Sequence, residues 1–336
     1  FSSVGSIAST FDVEQVEVYR GPQGTRFGAN AMAGMINITS NKPSDTFEGK
    51  VRLSAGNYDS YSAGLVLSGP ATKKVNYRLA VEQYSSDGFI ENDFLNRDDT
   101  NNRDEFTMRG KLAIQATDDL TIDITTFVAD FDNGYDAFSL DNTRHTLSDQ
   151  PGFDRQDTKA LATTFTYQGF NDFTLESIFS YADSTLDYGY DEDWAFVGIR
   201  PDWEYSSEDQ YFRDKTSATA ELRAVSKPGG EIFNKSTAWV TGLYFKQEKT
   251  DLLRKYTYLS ADFTSTFDTD NIAAFVQFDS QLDKKLSLTT GLRLERRNSD
   301  YNDSEILAFS PNDTREGGKF VLSHQMDKNN LYYSSI

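Results

Sequence analysis

Val16-Glu-Val-Tyr-Arg-Gly-Pro-Gln-Gly-Thr-Arg-Phe-Gly-Ala-Asn-Ala-Met-Ala-Gly-Met-Ile-Asn-Ile-Thr39 is the stretch on which the fold turns. Two short apolar strands, Val16–Tyr19 and Met35–Thr39, flank a segment punctuated by Gly21, Pro22, Gly24, Gly28 and Gly34. Glycine admits backbone angles closed to other residues, and Pro22 fixes one more, so the spacing predicts a tight, poorly helical knot between two strands. Other glycine motifs fit less well. A phosphate-cradling loop would end in Gly-Lys-Ser/Thr, whereas Gly28 is followed by Ala29-Asn30. A dinucleotide fingerprint opens a helix inside a βαβ unit, and no such unit follows.

Beyond Lys42-Pro43-Ser44 the pattern switches to period two. Val51, Leu53 and Ala55 alternate with Lys50, Arg52 and Ser54, and Tyr61, Ala63, Leu65 and Leu67 alternate with Ser62, Gly64 and Ser68. Val75, Tyr77, Leu79 and Val81 alternate with Asn76, Arg78 and Glu82; Phe106, Met108, Leu112 and Ile114 oppose Thr107, Arg109, Lys111 and Gln115. Leu288, Leu292 and Leu294 set against Thr289, Arg293 and Glu295 make the clearest case. Successive strand side chains point to opposite faces, so each run has one greasy and one polar face. A lipid-facing arginine near mid-membrane costs about 2–4 kcal/mol, so the leucines face lipid and Arg293 and Glu295 face a lumen. Less regular strands are predicted near 158–168, 173–187, 215–226, 235–248, 271–282 and 317–326.

The connections carry a second signal. Short turns fall at 69–74, 117–119, 168–172, 227–234, 282–285 and 327–330, and long polar connections at 85–103, 130–157, 188–213, 249–270 and 298–315. Only 56–60 is brief among the latter set. Outer-membrane barrels have short periplasmic turns and long extracellular loops, whereas a soluble sandwich has no reason to place its long loops at one end. The expected fold is therefore all-β: a transmembrane antiparallel β-barrel, here about twelve complete strands and the start of a thirteenth. An open sheet in lipid would leave costly unpaired backbone groups at its edges, so further strands are expected, ~22 in transporter barrels of this kind.

Composition agrees. The 336 residues are 38% apolar and 14% aromatic, with no run near the ~18 apolar residues of a spanning helix. A net charge of −19 argues against nucleic acid as a partner, since its binding is dominated by Lys/Arg contacts to phosphate. There is no cysteine, and His145 and His324 suggest no metal cluster. Gly-x-Ser-x-Gly and His-Glu-x-x-His motifs are absent, so catalysis finds no support. Aromatics gather at strand ends (Tyr58, Tyr61, Tyr181, Tyr188, Tyr211, Phe212, Tyr256, Tyr258, Tyr332 and Tyr333), as interfacial girdles would require. Phe138, Phe153, Tyr190, Trp194 and Trp203 either line a ligand vestibule or pack their own loops. The span 188–213 is strongly acidic, which would suit cationic ligands, bridging divalent ions or plain solvation.

Arg20-Gly21-Pro22-Gln23-Gly24, then Gly28, Gly34 and Asn37, then Lys42-Pro43, resemble the end of the plug domain of TonB-dependent outer-membrane receptors. The pattern of 214–226 and 239–245 is similar to the pesticin/yersiniabactin-receptor branch of iron-complex receptors. The resemblance implies that residues 1–43 end a plug and residues 44–336 begin its barrel. It implies TonB-dependent uptake across the bacterial outer membrane, energised by a TonB–ExbB–ExbD complex through an N-terminal box lying outside this sequence. The implied cargo is a small molecule, most often an iron chelate (cobalamin, haem or a glycan in relatives), with no covalently bound cofactor. It also gives Arg20 a barrel-wall carboxylate as partner. Glu14 and Glu17 are expected to pair with lumen-facing Arg52, Arg78 or Arg109, and those three arginines, with Trp194 and Trp203, are the candidate ligand contacts. Lipid and lipopolysaccharide are the expected surroundings. Two alternatives remain: a passive porin, which would place residues 1–43 outside the lumen, and a soluble glycan-binding β protein, which would need no detergent.

Overall fold

The computed structural model describes residues 10–20 and 34–335. Gly21, Pro22, Gln23, Gly24 and Gly28 lie outside the described residues. The chain runs β1 (Val13–Arg20), β2 (Gly34–Ser40), β3 (Glu48–Ala55), β4 (Tyr61–Thr72), β5 (Val75–Ser86), β6 (Glu91–Asn92), β7 (Arg103–Gln115), β8 (Leu120–Tyr135) and β9 (His145–Thr146). It continues through β10 (Gly152–Tyr167), β11 (Phe173–Asp191), β12 (Glu208–Ser226), β13 (Thr237–Tyr256), β14 (Phe263–Gln281), β15 (Leu286–Asp303), β16 (Ala308–Phe309), β17 (Asn312–Gln325) and β18 (Leu331–Ser335).

The two strands flanking the glycine knot pair antiparallel, from Val13↔Ser40 to Arg20↔Gly34. Gly34 sits at φ 154°, and a Cβ there would lie 2.6 Å from the Tyr19 carbonyl oxygen, so no larger residue fits this hairpin. Across the pair, Asn37 Nδ2 donates to Glu17 Oε2 at 2.8 Å.

Apart from β6 and β9, which pair parallel with each other, every strand from β3 onward belongs to one fourteen-stranded sheet in which successive strands are neighbours, with β16 as a short side strand on β15. Thirteen strands (fourteen less β16) thus form a single up-and-down antiparallel path, the number expected from the alternation. The faces are also as expected. In β15, Leu292 and Leu294 are 67% and 53% exposed, while Arg293 and Glu295 between them are 8% and 4% exposed. Val51, Leu243 and Ile272 join the outer face; Glu82, Asn271 and Gln277 are buried on the inner one.

Two expectations need correction. Most strands extend well past their apolar stretch at the loop end: β11 reaches Asp191 rather than 187, β12 begins at Glu208 rather than 215, and β13 ends at Tyr256 rather than 248. The outward-facing positions there, such as Asp183, Asp214 and Asp251, no longer meet hydrocarbon, so nothing holds them apolar. In consequence the 257–262 connection is shorter than the 227–236 turn at the opposite end, and loop length alone does not mark the sides. Residues 87–102, 136–151 and 192–207 remain the substantial loops, all at one end.

Candidate functional site

The segment before β1 lies against the inner face of β4, β5 and β7. Small side chains make room for it: Ser62, Gly64, Val66 and Ala80 line the wall, and Phe11, 4% exposed, packs with Val66 and Ala80. A Cβ on Gly64 would lie 2.7 Å from the Phe11 ring, so glycine shapes the socket. Lys50 Nζ and the Arg52 guanidinium stand 5.8 and 5.5 Å from the ring centroid. Apolar contact and cation–π attraction both favour the ring in this seat.

A charged latch sits beside the socket. Arg78 grips Asp12 with a two-pronged contact, Nε donating to Oδ2 at 2.7 Å and Nη2 to Oδ1 at 2.5 Å. Its Nη1 donates to Glu48 Oε2 at 3.2 Å. Asn41 adds a 2.9 Å hydrogen bond to the Asp12 carboxylate. Burial opposes the charge on Asp12, but the hydrogen bonds and charge of Arg78 outweigh it and hold the carboxyl below its usual range. Lys111 Nζ donates to the Ser40 and Asn41 carbonyls, both at 2.9 Å, and Arg109 Nη1 reaches the Phe11 carbonyl at 3.5 Å. Farther along, Ser44 N–H donates to Ser68 Oγ at 2.9 Å. The polar strip Arg78–Arg109–Lys111 is therefore a mount for the incoming segment.

Several predicted site residues are placed differently. Arg20 is exposed at the far end of β1 and makes no ion pair with a wall carboxylate among the described residues. Glu17 is engaged within its own hairpin by Asn37 and Tyr19. Glu14 is exposed, and the acidic partner of Arg78 is Asp12 instead, because the turn before β1, not the strand, touches the wall. Arg52 pairs with Glu82 at 3.2 Å. Arg52, Arg78 and Arg109 are thus committed to the wall and the bound segment, and the geometry does not support them as ligand contacts.

Trp194 and Trp203 are not brought together. Trp203 stacks under Arg200 at 4.3 Å and meets Tyr205 edge-on. Trp194 stacks on Phe138 at 5.2 Å, and Phe138 also touches Tyr135 and Tyr190. Tyr135, Tyr188, Tyr190 and Tyr211 continue this patch on the inward parity of β8, β11 and β12. Tyr188 and Tyr211 were expected in a lipid-facing girdle; they point inward because the regular register places them opposite the parity of Phe179 and Tyr181. Arg254 binds Asp209 through 2.8 and 2.7 Å hydrogen bonds and lies over Tyr211 and Tyr256. Arg213 lies over Tyr211 at 4.9 Å, and its buried Nη1 has no hydrogen-bond partner among the described residues. Sequence reasoning missed this pair; their shared parity with Tyr188 was the available signal.

Above the lipid, the 136–151 and 192–207 loops meet. Asp149 N–H donates to the Ala195 carbonyl at 3.2 Å, and Gln150 Nε2 to Ser206 Oγ at 3.1 Å. Asp191 and Asp193 are buried at this junction. Burial, reinforced by the Asp193 carboxylate, pushes Asp191 up to about 7. Burial and Asp193 also raise Asp149.

An up-and-down antiparallel wall, greasy outside and polar inside, with a hairpin-bearing segment seated against its inner face, is the architecture of an outer-membrane β-barrel protein. Residues 107–323 match the family described as TonB dependent receptor-like, beta-barrel, and the chain belongs to that family. It is a bacterial outer-membrane protein, and its family is one of receptors and transporters rather than enzymes. It is 41% identical over 68 residues to the pesticin receptor of Yersinia enterocolitica, covering 20% of this chain and 10% of that one. It is 35% identical over 78 residues to the ferripyoverdine receptor of Pseudomonas aeruginosa, covering 23% and 10%. Among solved structures, the ferric yersiniabactin uptake receptor of Yersinia pestis superposes with a TM-score of 0.79 at 19% identity, over 96% of this chain and 51% of that one. The chain thus spans about half the length of that receptor, and its matched stretches cover a tenth of the curated relatives. The pesticin/yersiniabactin likeness read from the sequence is borne out.

Proposed function

We propose that the protein takes up a scarce small molecule, a ferric siderophore or other iron complex, across the outer membrane by TonB-driven displacement of its plug. The observation that carries this reading is the Asp12–Arg78 latch with Phe11 in its socket: a segment mounted inside the barrel wall by a few strong, breakable contacts. A passive porin has no use for such a mount. TonB, with ExbB and ExbD, is the proposed partner, pulling through a segment N-terminal to the residues described. Lipid and lipopolysaccharide are the proposed surroundings of the outer face. The iron complexes named for the ferripyoverdine receptor and for the ferric yersiniabactin uptake receptor support the cargo class.

The inward patch of Tyr188, Tyr211, Arg213 and Arg254 suits an anionic, aromatic-bearing chelate. Arg213 brings an uncommitted guanidinium N–H, and the tyrosines bring flat faces that a planar ligand group can stack on. Growth of a deletion strain under iron limitation, fed a panel of chelates and sugars, tests the assignment. One iron source should fail in the deletion strain, and R213A should weaken binding of that chelate at least tenfold. Intact use of every iron source, with loss of growth on a glycan, would overturn the iron assignment.

A further inference from the structure

We infer that Glu91, Asp93 and His145 form a zinc site that clips the 87–102 loop to the 136–151 loop at the mouth of the barrel. One ligand atom from each residue, a ring nitrogen and two carboxylate oxygens, lies within 4.8 Å of the other two. His145 Nδ1 stands 3.1 Å from Asp93 Oδ1 and 3.8 Å from Glu91 Oε2. The main chain builds this convergence. β6 and β9 pair parallel with Glu91 opposite His145, and the Glu91 and Asp93 N–H groups donate to the Arg144 and Thr146 carbonyls at 2.9 and 3.0 Å. Positions 91 and 93 share a strand face, so both carboxylates rise on the side that carries the imidazole. The opposite face is locked. Asn92 and Thr146, 1% and 0% exposed, both donate to Asp136 Oδ2 at 2.8 Å, and Asn92 also donates to the Ser148 carbonyl at 2.9 Å.

A hydrogen bond alone does not account for all three side chains. One ring nitrogen offers a single hydrogen or a single lone pair, so it serves Asp93 and leaves Glu91, at 3.8 Å, beyond hydrogen-bond reach. Once the imidazole is neutral, the two carboxylates have no positive group between them, because Arg144 is turned to the Tyr58 hydroxyl at 3.0 Å and lies over the Phe89 ring. Donors bound 2.0–2.1 Å from a tetrahedral ion stand about 3.3 Å apart, so small side-chain rotations close these three on one centre. An imidazole with two carboxylates suits Zn2+, whereas Ca2+ and Mg2+ take oxygen ligands. Water would fill the fourth position. The locked Asn92–Asp136–Thr146 face holds the donors in place without the ion, when the same atoms make the His145–Asp93 hydrogen bond. His145 and Asp93 are 52 residues apart in the chain, so the sequence alone showed no cluster.

Zinc titration of the intact protein, purified in detergent and stripped with a chelator, tests the site. Calorimetry should show one tight Zn2+ per chain, unmoved by excess Ca2+ and displaced by Cu2+, which binds such donors more strongly. Co2+ in place of Zn2+ should give the intense visible bands of a four-coordinate centre. H145A and D93N should each weaken zinc at least tenfold and E91Q severalfold, while H324A, at the one other histidine, should leave it unchanged. Added zinc should slow hydrogen exchange in peptides covering 89–95 and 143–147 of the wild type and not of H145A. The heat-dependent gel shift of the barrel checks that each variant is folded, and should one misfold, the other two decide. Zinc binding that H145A or D93N leaves intact in folded protein, or that excess Ca2+ displaces, would overturn the site and leave only a histidine–aspartate hydrogen bond.

Discussion

Removing the Asp12 carboxylate should loosen the plug segment without disturbing the barrel. The Asp12 side chain is 3% exposed and that of Arg78 11%, so D12A strands a nearly buried guanidinium. Breaking one half of a buried pair costs about 3–5 kcal/mol. Here Glu48, half exposed and 3.2 Å away, still offers Arg78 a partner, which lowers the expected loss to roughly 2 kcal/mol. That is about a 30-fold larger population of the detached segment. Hydrogen exchange followed by mass spectrometry reads it directly, because Val13 and Asn41 N–H groups are bonded at this junction, the latter to the Asp12 carbonyl at 3.1 Å. Peptides covering 10–20 and 34–44 should exchange correspondingly faster in D12A, while barrel peptides stay unchanged. The double variant D12A/R78M removes both charges together and should recover most of the loss. If exchange in D12A matched the wild type, or if the two substitutions simply added, the latch would be an incidental contact.

Gly64→Ala should disturb the same peptides by a different route, since its Cβ enters the Phe11 seat; about 1–3 kcal/mol of local stability should be lost, visible in the same exchange experiment. Leu292→Arg puts a charge in lipid and should lower barrel stability in urea by about 2–4 kcal/mol. His145, hydrogen-bonded to Asp93 at 3.1 Å, is raised by that contact and its charge. Its contribution to joining β6 and β9 should be complete below the ordinary histidine range near 6.5 and fade as pH rises through the elevated value. NMR titration should show the elevation, and D93N should remove most of it.

Much of this architecture was legible in the residues. The out-facing Leu292 and Leu294 and in-facing Arg293 and Glu295 declare themselves because lipid punishes a charge and a wet lumen does not. The strand extensions were not legible: Asp183, Asp214 and Asp251 break the apolar alternation on the outer face, where no hydrocarbon holds it. The latch was half legible. A cationic strip on β5 and β7 could be read from Arg78, Arg109 and Lys111, but their partners are Asp12 and main-chain carbonyls of Phe11, Ser40 and Asn41. Carbonyls leave no mark in a sequence, and Asp12 was hidden by its position in a turn. Likewise, Tyr188 and Tyr211 look like any interfacial tyrosines until the register fixes their parity.

The length of the wall has a consequence for who can reach the mouth. Strand β13 runs from Thr237 to Tyr256, twenty residues, or roughly 65 Å along its axis and about 50 Å in height at a typical tilt. A greasy belt about 25 Å tall leaves on the order of 20 Å of rigid chimney above the membrane. Tyr190, Trp194 and Arg254 are thereby held well clear of the hydrocarbon, where a solute in the medium meets them without touching lipid.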